Sequence, residues 1–406
     1  MTMSEQEKQL TLDKKALRAQ KKAEKARQKE EKYYLASQWR LMARKLGRHK
    51  LARVSLVILG FLYLVALLGD FLAPYSLTDY DPNSKDLPPS AIHFNHDAQF
   101  IGPFIYKTEK QTVKMTVAEK TAAKKEAEAR GEKYTPPTHI VTDETRPLRV
   151  QWFVHGSSYK VLGFIDSDLH LFGVEEGKIF LFGADSMGRD LFSRIILGSQ
   201  VSLTIPFAGT MISFVLGLLI GSVSGYFGGW VDNVIQRIIE VLNSLPSLPL
   251  WMALSAAIPA GIPPVQMYLL ITIILSLISW TGLARVVRGK FMSLKNEDYV
   301  MAAKLAGVSD MKIILKHMVP GFMSYLIVNL TLGIPSMIIG ETSMSFLGLG
   351  IQAPATSWGV LLKEAQDVSS IALHPWCLIP LFFVVLTVLA FNFLGDGMRD
   401  AADPYK

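Results

Sequence analysis

Residues that could perform catalysis, bind a metal or hold a phosphate are few and scattered along this chain. The eight histidines are not spaced as metal ligands, and the single cysteine, Cys377, provides neither a disulfide framework nor a thiol metal site. A phosphate-binding loop needs an upstream glycine and a hydroxyl residue after its Gly-Lys pair, and neither Gly177-Lys178 nor Gly289-Lys290 has them. We therefore expect no catalytic residue, no metal site, no cofactor and no ATP hydrolysis by this chain.

A charged segment between two apolar runs, residues 298–320, has a composition suited to contact with another protein. Small side chains on a short helix let a second backbone approach closely, a glycine is typical of a helix end, and serine or aspartate favours the start of the next helix. The segment is therefore predicted to form two short helices that act as a rigid lever; an ordinary amphipathic connector is the alternative. The residues concerned are Met301, Ala302, Ala303, Gly307 as the C-cap, Ser309 or Asp310 as the next N-cap, and Pro320 at the entry to the following apolar run.

A second set of candidate residues carries charge beside apolar runs. Within residues 183–194, the pattern indicates either a docking site for another protein or a capped interfacial helix in which Asp190 pairs with Arg194 four positions later. Glu341 ends an apolar run, and ionisable groups near hydrocarbon are costly and often functional. The candidates in this set are Asp185, Gly188, Arg189, Asp190 and Glu341.

The elements that must position these residues are membrane helices. Half of the 406 residues are apolar, and a bilayer core takes roughly 20 apolar residues of helix. Five runs lack Asp, Glu, Lys and Arg, and one of them is long enough for two helices; the runs are 54–69, 201–231, 241–284, 317–340 and 368–395. They predict six spans, near 52–74, 201–225, 235–258, 265–284, 321–343 and 374–395.

The positive charge of the chain lies at its beginning. Residues 1–50 hold 15 lysines and arginines against six acids, a surplus of nine charges, whereas the whole chain carries +7. Such a segment before a first span marks the cytoplasmic side and can touch anionic lipid head groups; nucleic-acid binding is the weaker alternative. The predicted divisions are a basic cytoplasmic tail (1–50), a first transmembrane helix (51–75), an extracytoplasmic segment (76–199), a five-helix core (200–397) with a cytoplasmic loop at 285–320, and a cytoplasmic C-terminus (398–406).

The predicted extracytoplasmic segment has two parts. Residues 110–146 are charged, rich in alanine and interrupted by proline, which indicates an exposed helix and linker. Short apolar and aromatic runs separated by glycines follow, and they predict a small β-rich module. These runs are 150–154, 159–162 and 178–182.

The 298–320 segment resembles the signature of permease subunits of ABC-type importers. The family pattern is Glu-Ala-Ala, three residues, glycine, nine residues, and a closing apolar-x-apolar-Pro motif. Here Met301 replaces the glutamate and His317 takes the first closing position. The residues at matching spacing are Ala302, Ala303, Gly307 and Pro320.

Further stretches are similar to the C-type subunit of the dipeptide, oligopeptide and nickel branch of these permeases. They are residues 183–194, 225–246, 341–359 and 396–404. The resemblance covers 51–75 and about 183–404, and it leaves residues 1–50 and 76–182 outside.

The resemblance implies an all-α membrane protein of the MetI-like importer permease type, with six transmembrane helices and a mixed extracytoplasmic insertion. Its location would be the bacterial inner membrane, with both termini cytoplasmic. The implied partners are a second permease subunit, two ABC ATPase subunits gripping residues 298–320, and an extracytoplasmic solute-binding protein. The ATPases would switch the pore between outward-open and inward-open states, with Glu341 near the outer gate and residues 185–190 on the receptor side.

Two other classes of protein fit the sequence less well. An ion-coupled secondary transporter should carry charges in the middle of its spans and often has inverted repeats, and neither feature is found in the sequence. A membrane-anchored interaction protein would do its work through residues 76–182. The solute is left open among peptides, nickel, opines and oligosaccharides.

Overall fold

The computed structural model describes residues 38–97, 99–113, 115–129, 138–161, 164–259, 261–366 and 368–403. Residues 1–37 of the predicted basic tail lie outside the described residues. The described part of the tail begins with α1 (Gln38–Leu46), which carries Arg44 and Lys45 in its last turn.

The first half of the described chain contains one long helix, three shorter ones and four strands. These elements are α1, α2 (Lys50–Leu67), α3 (Gly69–Leu72), β1 (His93–His96), β2 (Gln99–Thr112), α4 (Val117–Ala129), β3 (Thr138–Val161) and β4 (Ile165–Val174). The second half is helical. Its α-helices are α5 (Leu191–Phe227), α6 (Gly229–Ser244), α7 (Ser247–Ala256), α8 (Pro264–Leu294), α9 (Asp298–Leu305), α10 (Asp310–Lys312), α11 (Met323–Phe346), α12 (Trp358–Glu364), α13 (Val368–Leu373) and α14 (Ile379–Ala402).

Among the residues that the structure describes, five helical segments are long and apolar enough to cross a membrane, and a bent pair could supply a sixth span. The five are α2, α5, α8, the path from Asp310 through α11, and the path from Pro375 through α14. The sequence-based prediction of six spans is therefore confirmed if the bent pair, α6 with α7, crosses as one broken span.

The predicted third span, near 235–258, is not a straight helix. Helices α6 and α7 are bent by 86° at a break between them. Leu245 adopts an extended backbone immediately before Pro246, as expected because the proline ring disfavours the helical conformation of the preceding residue. The chain therefore turns sharply where the apolar pattern alone predicted continuity.

Helices α5 and α8 extend beyond their predicted ends. α5 begins at Leu191, ten residues before the predicted start at 201, and it includes the charged Arg194. α8 continues to Leu294, so the first ten residues of the predicted loop at 285–320 are helical. A charge-free run indicates only the part of a helix that lies in hydrocarbon. Helices α5 and α8 continue beyond that part into charged sequence.

The sheet is antiparallel, with strand order β1-β2-β3-β4. Its long strand β3 has 24 residues: its first half pairs with β2, as in Phe104 opposite Arg149, and its second half pairs with β4, as in Val150 opposite Val174. The β-rich module is thus larger than predicted, because residues 138–146, predicted as linker, belong to β3. The exposed helix predicted within 110–146 is present as α4.

The predicted β run at 178–182 is a loop outside the sheet. Ile179 and Phe180 are buried, and their backbone N–H groups donate to the Tyr75 hydroxyl at 2.7 Å and the Ser90 hydroxyl at 3.1 Å. Side chains satisfy these donors in place of a neighbouring strand. The apolar pattern at 178–182 thus indicated correctly that the side chains of Ile179 and Phe180 are buried, but the prediction of a β-strand there was wrong.

These contacts also join the two ends of the segment that carries the sheet. Lys178 lies 2.6 Å from the carboxylate of Asp79, and the Ala184 N–H donates to the Leu87 carbonyl at 2.9 Å. The chain thus leaves the helices and returns to them at one place.

Helices α5 and α8 pack against each other through glycines. A Cβ atom added at Gly217, Gly221 or Gly225 would lie 2.9, 2.5 or 2.6 Å from the carbonyl oxygen of Trp280, Ala284 or Arg288, respectively. Because these glycines are four residues apart, they form one stripe along α5. The two helices are close enough that backbone meets backbone.

Candidate functional sites at the ends of the helices

Helix α9 is attached to the helices around it by one face. Val300 and Ala303 are buried, and residues three apart lie on the same face of a helix. They enter an apolar cluster formed with Tyr226, Val287, Phe291, Ile313, Ile314, Met318, Val319, Phe322 and Leu326. The cluster fixes α9 against the ends of α5, α8 and α11.

The other side of α9 exposes an apolar surface that we call the α9 patch: Tyr299, Met301, Ala302 and Leu305. Leu305 is 88% exposed. Clustered apolar side chains that face outward are typical of contact surfaces. A helical face that is left unburied beside a buried one is suited to dock in a groove of another protein.

The structure divides the predicted contact residues of this helix. Met301 and Ala302 belong to the α9 patch, whereas Ala303 is buried in the apolar cluster. Tyr299 and Leu305 were not selected from the sequence. Helical spacing could have indicated Leu305, which lies three and four residues after Ala302 and Met301.

The turn after α9 follows the predicted glycine end. Gly307 has a φ of +72°, and the Val308 N–H donates to the Ala303 carbonyl at 3.1 Å, a bond typical of helix ends with a left-handed residue. Ser309 takes the N-cap position of α10, although its hydroxyl makes no capping hydrogen bond. The carboxylate of Asp310 instead accepts a hydrogen bond from the Tyr226 hydroxyl at 2.6 Å.

The path from α10 into the next span is irregular. A π-helical turn covers Ile313–Met318 and a 3-10 turn covers Val319–Phe322, with Pro320 near the start of the second turn. Short π turns inside helices occur frequently at functional sites. Pro320 lies three residues before the first residue of α11, Met323.

The segment before α5 forms a buried cluster of charges. Asp185 accepts from the N–H groups of Met187 and Arg189 at 2.8 and 3.0 Å and from Arg189 Nε at 2.8 Å. Arg194 Nη1 lies 2.5 Å from Asp185 Oδ2 and Nη2 lies 2.9 Å from Glu364 Oε1. Arg189 Nη2 lies 3.1 Å from the same oxygen. These four residues, Asp185, Arg189, Arg194 and Glu364, are the α5 ion-pair cluster.

The predicted pair between Asp190 and Arg194 is wrong. Asp190 caps α5 by accepting from the N–H and the hydroxyl of Ser193 at 2.7 and 2.6 Å. Burial raises the pKa of Asp190 to about 7, against the lowering effect of these hydrogen bonds. Arg194 therefore turns to the cluster, whose acids compensate its charge.

Gly188 is required by the turn that carries the cluster. Its φ is +82°, and a Cβ atom there would lie only 1.9 Å from the carbonyl oxygen of Asp81.

The side chains of Asp185 and Arg194 in the α5 ion-pair cluster are 6% and 4% exposed. The cluster thus joins the start of α5 to α12 and presents little of its charge to a receptor.

Glu341 has a separate environment within α11. It is 1% exposed, and the Ser345 hydroxyl donates to its carboxylate at 2.7 Å. The helix is closely packed here, because a Cβ added at neighbouring Gly340 would lie 3.2 Å from the Trp251 ring. Glu341 is therefore an interior residue in this conformation.

No group of three or more His, Cys, Asp or Glu residues that could hold a metal ion occurs in the part of the chain that the structure describes. The five long apolar helical segments, with the bent pair α6 and α7, define a multi-pass membrane protein.

Comparison with known proteins identifies the family. Residues 217–405 match the binding-protein-dependent transport system inner membrane component, and residues 37–89 match the N-terminal TM domain of oligopeptide transport permease C. The dipeptide transport system permease protein DppC of Bacillus subtilis (strain 168) is 32% identical over 372 residues, covering 91% of this chain and 86% of that protein. The chain belongs to the family of binding-protein-dependent transport system inner membrane components and is a permease subunit of an ABC importer in the inner membrane.

Two further curated relatives, OppC and GsiD, are also transport system permeases. The oligopeptide transport system permease protein OppC of Haemophilus influenzae is 43% identical over 230 residues, covering 56% of this chain and 71% of that protein. The glutathione transport system permease protein GsiD of Escherichia coli O6:K15:H31 is 42% identical over 223 residues, covering 55% and 71%. An inward-facing structure of the MetNI methionine ABC transporter matches with a TM-score of 0.43 and 16% identity over 53% of this chain and all of that one.

The expectation of an ABC importer permease, drawn from the spacing around Gly307, is confirmed by these matches. The chain is a transport component and not an enzyme, since ATP hydrolysis in such systems belongs to separate subunits. Permeases of this family work with other permease, ATPase and binding-protein components. The secondary-transporter alternative is not favoured.

Proposed function

We propose that this chain forms half of a translocation pore with a second, similar permease subunit, and that two ATPase subunits drive it through residues 298–320. Closure of the ATPases moves α9, and the helices attached to it switch between outward-open and inward-open states, a transition between rigid bodies. A solute-binding protein delivers the solute from the other side of the membrane. The observation that carries this proposal is the α9 patch. It is apolar and exposed, and it lies on a helix whose opposite face packs in the apolar cluster.

The solute class proposed for this importer is small peptides. The relatives are named as permeases for dipeptides, oligopeptides and glutathione, and all of these share a peptide backbone. Uptake of labelled di- and tripeptides into cells, with and without the chain, measures this directly.

We place both termini and α9 on the cytoplasmic side. The contact between Lys45 Nζ and the Asp403 carbonyl, at 2.8 Å, brings the end of α1 and the end of α14 together. Basic residues of α1 favour the cytoplasmic side. Both features support an even number of crossings with both ends inside.

Replacing Leu305 with aspartate is expected to detach the ATPase subunits while the permease still folds. The side chain is 88% exposed, so the change removes no packing within the chain, but it places a charge in the proposed apolar contact. Loss of a well-buried interface side chain of this kind weakens binding by about 2 kcal/mol, or about 30-fold. Co-purification of ATPase subunits in mild detergent and peptide uptake are the measurements.

The matched control is Phe164→Asp, because Phe164 is 89% exposed between β3 and β4. It should leave the recovered ATPase at the wild-type amount. Wild-type ATPase recovery and uptake with Leu305→Asp would show that the subunits do not dock on the α9 patch.

A further inference from the structure

Tyr226 connects the end of α5 to the segment that carries the α9 patch. It is the penultimate residue of α5 and is 7% exposed. Its hydroxyl donates to Asp310 Oδ1 at 2.6 Å, and the Lys304 ammonium lies 4.8 Å from the centre of its ring. One side chain therefore holds both sides of the turn at Gly307.

These two contacts are of kinds that favour a fixed geometry. A hydrogen bond to a carboxylate is roughly twice as strong as one between neutral groups, and an ammonium above an aromatic face is attracted by the ring quadrupole. Lys304 belongs to α9 and Asp310 to α10. The ring thus fixes the angle between the two short helices.

The contact between Tyr226 and Asp310 joins two parts of the chain that are far apart in sequence. Helices α9 and α10 lie in sequence between α8 and α11, and Tyr226 is 84 residues away from Asp310. The helix that carries Tyr226 is itself held against α8, since a Cβ at Gly225 would lie 2.6 Å from the Cβ of Phe291. A displacement of α9 therefore reaches the α5–α8 pair at a defined point.

We propose that Tyr226 is the positioning residue that transmits movement of α9 to α5, so that ATP hydrolysis and pore switching remain coupled. This inference rests on the proposed docking of ATPases at residues 298–320. Without the Tyr226 hydroxyl, α10 loses its hydrogen bond to the end of α5, so a movement of α9 and α10 reaches α5 only through the apolar cluster, and more ATP is hydrolysed for each solute molecule moved. Tyr226 thus affects the coupling between ATP hydrolysis and pore switching, and it does not affect the binding of the ATPase subunits or of the solute-binding protein.

The test uses the complete importer in proteoliposomes with its solute-binding protein and a labelled peptide. Tyr226→Phe removes the hydroxyl and keeps the ring over Lys304. The measured quantity is the number of peptides transported per ATP hydrolysed, which we expect to fall at least about five-fold, the lower end of coupling between sites. The amount of bound ATPase should stay at the wild-type level.

Asp310→Asn and the double variant complete the experiment. Since the two residues act through one contact, the double variant should transport no fewer peptides per ATP than the more impaired single variant. Tyr325→Phe, a partly exposed tyrosine near the start of α11, is the control and should keep the wild-type ratio.

A wild-type ratio for Tyr226→Phe would overturn the inference, as would a fall that is matched by lost ATPase binding or lost folded protein. The proposed function fails in a different way: Leu305→Asp would retain its ATPase subunits. The two experiments therefore separate docking from transmission.

Discussion

Replacing Gly221 with leucine is expected to prevent the complex from assembling as a folded particle. A Cβ at this position would lie 2.5 Å from the Ala284 carbonyl oxygen and 2.9 Å from its Cα. Both are backbone atoms, so no side-chain rotation relieves the clash. Overpacking in an interior costs about 1–3 kcal/mol when neighbours can shift, and here the two helices must separate along their length.

The measurement is the fraction of detergent-purified protein that elutes as a single species, followed by its thermal unfolding. Gly60→Leu is the matched control, since Gly60 lies within a span and a Cβ there has no heavy atom within 4 Å. Equal yield and stability of the two variants would mean that α5 and α8 do not pack as the structure shows.

Replacing Arg194 with methionine should give the second largest effect. The side chain is 4% exposed and bonds to both Asp185 and Glu364. Removing one partner of a buried ion pair costs about 3–5 kcal/mol, because the remaining charges stay buried without compensation. Glu364 is 30% exposed and Asp185 keeps Arg189, so we expect about 3 kcal/mol. A lower unfolding temperature of the purified complex is the measurement.

The control for this change is Arg237→Met. Arg237 is 83% exposed and pairs with Glu240, and pairs of this kind contribute about 0–1 kcal/mol. Adding Glu364→Gln to Arg194→Met should recover part of the lost stability, since one uncompensated charge is removed. Similar unfolding temperatures for the two arginine variants would contradict the importance of the α5 ion-pair cluster.

The start of α5 shows which part of the fold could be predicted from the sequence and which part could not. The absence of charge predicted the spans, because hydrocarbon excludes ions. The predicted span at 201–225 covers only the charge-free part of α5, which begins at Leu191 and includes Arg194. Asp190 is bonded locally by Ser193, whereas Arg194 is compensated by Asp185 and by Glu364, which lies 170 residues away. A partner at that distance cannot be seen in a local pattern.

Residues 298–320 also contain features that could be predicted from the sequence and features that could not. Its helix end at Gly307 was predictable, because a glycine at that place has a local physical reason. Which side of α9 is buried was not, since Ala302 and Ala303 are chemically identical and only the packing of Phe291 and Ile313 distinguishes them. The contact of Tyr226 with Asp310 depends on the approach of two distant helices, which no local spacing contains.

The joined ends of the segment between α3 and α5 have a consequence for how such a protein changes over generations. Because Asp79 and Lys178 already hold the base of this segment closed, its outer part can be lengthened, shortened or replaced without shifting either helix. New modules can be grafted at this position while the helices of the permease are kept intact.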